Sequence, residues 1–88
     1  MAGGCDEMRF SGITREVWEC LRQRARGMKV TVPDEDAGTI SHPDAAAEYE
    51  WSEAEGTLSV TLTRKPVWVP CDAVERRLRE AVRTCGGG

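Results

Sequence analysis

The residues of this chain whose types can do chemistry are four cysteines, one histidine and a short acidic run. The cysteines are Cys5, Cys20, Cys71 and Cys85. An even number in a short chain reads as a disulfide framework only in an oxidising context. Asp6 and Glu7 stand where a secretory leader would have a basic start and an apolar middle. The expectation is therefore a cytoplasmic protein with reduced thiols. No Cys-x-x-Cys pair is present, and structural zinc sites usually draw close ligand pairs from one turn. Cys71, just ahead of the second helical pattern, is the one cysteine with an argument for a reactive thiol, because the positive end of a helix favours the thiolate. Cys85 reads as core, and Cys20 lies off the apolar stripe of its helix.

His42 stands alone in a turn before Pro43. A catalytic histidine needs a nucleophile or an acid held within hydrogen-bond reach, and the sequence supplies no such partner. The run Asp34-Glu35-Asp36 suggests calcium. A calcium loop, however, needs glycine at its sixth position and glutamate at its twelfth, where this chain has Thr39 and Ala45. Glycine-rich phosphate loops, Gly-x-Ser-x-Gly and His-Glu-x-x-His are absent as well. Nothing in the sequence calls for a catalytic residue, a metal or a cofactor.

Three tryptophans remain, Trp18, Trp51 and Trp68. They read either as core filler or as the lining of an apolar pocket open to a ligand or a partner. Trp18 falls on an apolar helical stripe and Trp51 shares a strand face with Tyr49, which favours packing. Trp68, between two valines and bracketed by Pro66 and Pro70, is the one expected to be partly exposed.

The elements that position these residues follow from periodicity. Met8–Phe10 reads as a short edge strand. Thr14 caps a helix whose Val17, Trp18, Leu21, Ala25 and Met28 form one stripe, with Ile13 and Trp18 as a hydrophobic staple and Gly27 as the stop. Lys29–Val32, Thr39–Ser41 and Val67–Val69 read as short strands. Thr57 to Thr63 alternates without error, Leu58, Val60 and Leu62 on one face, and hairpins onto Tyr49 and Trp51. Asp72 and Glu75 suggest a capping box for a second helix, with Val74, Leu78, Ala81, Val82 and Cys85 on its stripe. The fold class is α+β: an antiparallel sheet of about four strands with two helices on one face, in the order (β)-α-β-β-β-β-(β)-α. One domain spans residues 1–88, with 1–7 and 86–88 as flexible tails. A chain of 88 residues buries only about 60–65% of its unfolded surface, so its stability margin is thin.

Charge is segregated. Between Val30 and Thr63 lie eight acids and no lysine or arginine, whereas all twelve basic residues lie in the flanks. The net charge of −3 and a wet sheet face of threonine and glutamate disfavour nucleic acid as a partner. No apolar run approaches the roughly 18–20 residues that span a bilayer. The best expectation is a small non-catalytic cytoplasmic interaction module whose partner is another protein or a second copy, as a homodimer. The alternative is a domain that binds a small hydrophobic ligand in a tryptophan-lined pocket.

Overall fold

The computed structural model describes residues 4–30, 32–33 and 35–87. Its elements are β1 (Met8–Phe10), α1 (Arg15–Gly27), β2 (Ala37–His42), β3 (Ala45–Ser52), β4 (Thr57–Arg64) and α2 (Cys71–Thr84). The four strands form one antiparallel sheet in the order β1-β4-β3-β2, so the first two strands in sequence occupy opposite edges. The link between those edges is α1, which therefore has to cross the sheet. In register, Tyr49 faces Val60, Trp51 faces Leu58, and Phe10 lies on the other side of Leu58. These residues project to the helix side and are buried, while Glu48 and Glu50, one position out of phase, are exposed. No helix among the described residues is long and apolar enough to cross a membrane.

Local chemistry accounts for the helix ends. The Val17 N–H donates to Oγ1 of Thr14 at 3.3 Å, which satisfies one free amide of the first turn. Ile13, the staple residue, is fully buried. The helix ends at Gly27, as expected, but the left-handed residue that closes it is Lys29, at φ 62°. The Lys29 N–H donates to the Arg26 carbonyl and the Val30 N–H to the Ala25 carbonyl, a Schellman closure built on a non-glycine residue. The same closure ends α2, with Gly86 at φ 93° and the Gly87 N–H on the Val82 carbonyl at 2.8 Å.

Several expectations are corrected. Lys29, Val30 and Val32 lie in no strand, because the left-handed Lys29 and then Pro33 turn the chain; Thr31 lies outside the described residues. Val67–Val69 is a turn, closed by the Val69 N–H on the Pro66 carbonyl. The capping box does not form. The helix starts two residues earlier, with Pro70 in place of Asp72 as its cap and no side-chain hydrogen bond, which leaves Asp72 in the first turn facing the positive helix end. Of the expected tails, residues 1–3 and 88 lie outside the described residues. Cys5, in contrast, is buried, and its N–H donates to the Leu62 carbonyl at 3.0 Å. Gly4 beside it permits this approach, since a Cβ there would stand 1.8 Å from the Leu62 oxygen.

The cysteines are not free thiols. Cys5 pairs with Cys71 and Cys20 with Cys85, each with Cα atoms 5.7 Å apart. The sheet order brings the first pair together. β1 lies along β4, so the segment before β1 meets the segment after β4. The second pair ties the middle of α1 to the C-cap of α2. Both ends of α2 are thereby covalently fixed.

Candidate ligand-binding cleft

The two helices lie over the same sheet face but do not close on each other along their length. At one end, Trp18 stacks on Trp51 with centroids 5.5 Å apart and planes 17° from parallel, and Tyr49 lies 5.3 Å from Trp18. The Trp51 Nε1–H donates to the Ile13 carbonyl at 2.9 Å, so the one polar atom of this buried ring is satisfied. The Tyr49 hydroxyl donates to the Glu35 carbonyl at 2.7 Å, and the Trp51 N–H to the Asp36 carbonyl, so the acidic run serves as backbone acceptor for the aromatic pair. Outside, the Arg15 guanidinium holds Glu53 through two hydrogen bonds of 2.9 and 2.8 Å and lies over the Trp51 ring. That contact keeps the Glu53 carboxyl below its ordinary range and raises Arg15, in both cases chiefly through the hydrogen bond.

At the other end the same apolar stripes leave a gap. A half-open cleft of about 590 Å³ lies between the helices and the sheet. Its floor includes Ile40, Ala47 and Leu62, one wall Leu21, Ala25 and Met28, and the other Val74, Leu78 and Ala81. Leu21, Ile40, Leu62, Val74 and Leu78 are only partly buried. The cleft is thus a surface lined by apolar side chains, of the size and character of sites for small molecules.

Of the tryptophans, only Trp18 reaches this lining. Trp51 is 3% exposed behind it, and Trp68 is 79% exposed on the β4–α2 loop. The lining is therefore mainly aliphatic. Trp68 belongs to the loop whose Lys65, Pro66 and Val69 border the cleft. Cys71, the candidate reactive thiol, has its sulfur in the bond to Cys5, so the positive end of α2 has no thiol to act on. His42 closes β2 at the edge of the cleft, and its Nδ1 accepts from the Asp44 N–H at 3.1 Å. Among the described residues no group of three or more His, Cys, Asp or Glu is placed to hold a metal ion.

The signal that could have found the cleft is present in the two helical stripes, which supply both walls. Periodicity says which face turns inward, but not whether the facing helix comes close enough to bury it. In comparisons with known proteins, no family model, no curated protein and no solved structure matches this chain.

Proposed function

We propose that this chain is a non-catalytic binding domain whose site is the apolar cleft between α1, α2 and the sheet, and whose ligand is a small molecule with an apolar body. The observation that carries this reading is a cleft of about 590 Å³ in a chain of 88 residues. Protein interiors keep few voids larger than a water molecule, and exposed apolar area costs about 25 cal/mol per Å². A small fold with a thin stability margin gains from a ligand that covers such walls. The paired cysteines support residence in an oxidising compartment over the cytoplasm. Calorimetric titration with decanol tests the reading. Saturable binding of one equivalent, weakened by the cleft-filling variant Ala81→Phe, is the expected result. Absence of binding to the folded protein would contradict it.

A second reading is favoured by Val67 and Trp68, exposed side by side on the β4–α2 loop. Exposed tryptophan is the residue type that anchors protein interfaces. On this reading the loop contacts another protein or a second copy of the chain. Sedimentation of the protein beside Trp68→Ser checks the homodimer. A concentration-dependent mass lost in the variant supports it, and a monomer in both removes it.

A further inference from the structure

Resting on the cleft reading, we infer that the ligand carries an anionic head group, a carboxylate or a phosphate, held by basic side chains of the cleft while its apolar body lies between the helices. Four basic residues border the cleft, from three segments: Arg22 and Arg24 of α1, Lys65 of the β4–α2 loop and Arg77 of α2. Among the described residues the lining holds a single acid, Glu80. This gathering runs against the balance of the whole chain, whose net charge is −3. The pleat produces the separation, because Glu48 and Glu50 of β3 are out of phase with Ala47 and Tyr49 and leave by the opposite face. Arg22 is buried to 8% exposure, in a helix whose other arginines are more open. Its guanidinium lies 3.7 Å from the Glu19 carboxylate, and the residue borders the apolar wall. Beside such walls a charge-assisted hydrogen bond to an anion is stronger than in open water.

The competing account is that the long stems of these residues merely cover apolar wall while their charged ends remain hydrated. The two accounts differ in what they predict for ligands with the same tail and different heads. Calorimetric titration of the oxidised protein with decanoate, decyl phosphate and decanol separates them. The inference predicts that at least one anion binds about tenfold or more tightly than decanol, and that added salt removes the advantage. The better of the two anions identifies the head group. Arg77→Gln and Lys65→Gln should each weaken the anion severalfold more than they weaken decanol, whereas Glu80→Gln should strengthen the anion. Equal affinity for all three ligands would overturn the anionic head while leaving the cleft reading intact. Failure of all three to bind would remove the cleft reading and this inference with it.

Discussion

The two ends of the helix layer are built from the same kind of sequence and reach different packing. At the closed end, Ile13, Val17 and Trp51 are buried outside the cleft lining, and Trp18, Leu58 and Val82 are buried where the packed core meets the cleft. Ring stacking and the Trp51–Ile13 hydrogen bond fix their geometry. At the open end, Leu21, Ile40, Leu62, Val74 and Leu78 come from equally regular stripes yet remain partly exposed around the cleft. The closed end holds α1 through packing. The second helix, which buries only Val82 fully, is held at both ends by the disulfides of Cys71 and Cys85. Covalent anchoring lets a helix stand over a gap that packing alone would tend to close. In a small fold it supplies the stability that a partly filled core forgoes.

The contrast should appear most strongly in truncations. Trp51→Ala at the closed end is expected to cost about 3–5 kcal/mol, and Leu78→Ala on the cleft wall about 1 kcal/mol, since its side chain is only partly buried. Urea denaturation of both variants measures the difference, and equal losses would break the comparison. The disulfides come next. Each closes a loop of more than sixty residues, for which chain entropy gives about 4 kcal/mol. Cys5→Ser combined with Cys71→Ser should lower the unfolding free energy by about that amount. Because it releases the end of α2 that borders the cleft, it should also weaken decanol binding. A variant that loses stability but binds decanol unchanged would show that the anchoring does not shape the cleft.

Smaller effects sharpen the same picture. Lys29→Gly relieves a left-handed residue at the end of α1 and should stabilise by about 1 kcal/mol in thermal or chemical unfolding. The smallest effect concerns Glu53, an exposed group whose carboxyl is held low by Arg15. A depressed carboxyl contributes stability above its unfolded value and loses it as pH falls through the folded value. Glu53→Gln should therefore be slightly less stable than the parent at neutral pH, and the difference should vanish in acid. A gap that widens in acid would contradict the pairing.

Much of the fold was legible in the sequence, and the reasons are local. The alternation from Thr57 to Thr63, the Thr14 cap and the stripe of α2 each follow from neighbours within one turn or one pleat. The exposure of Trp68 is expected from its place between two valines after a proline, although the pattern of that segment suggests a strand and the segment is a turn. The disulfides were not legible, because the pairs are 66 and 65 positions apart and meet only through the sheet order. Reading the compartment from Asp6 and Glu7 pointed instead to free thiols. The burial of Arg22 was hidden because a position beside an apolar stripe is covered only when the neighbouring elements reach over it. The cleft itself depends on the separation of two helices, which no residue pattern encodes.

The central claim is that the open end binds an apolar ligand while the closed end stays fixed. The methyl NMR spectrum of the oxidised protein during a decanol titration tests it most directly. The account predicts saturable shifts at Leu21, Ile40, Leu62 and Leu78, which line the cleft, with the methyls of Ile13 and Val17, buried outside its lining, nearly still. No saturable shifts at the cleft methyls, or equal shifts at both ends, would contradict it.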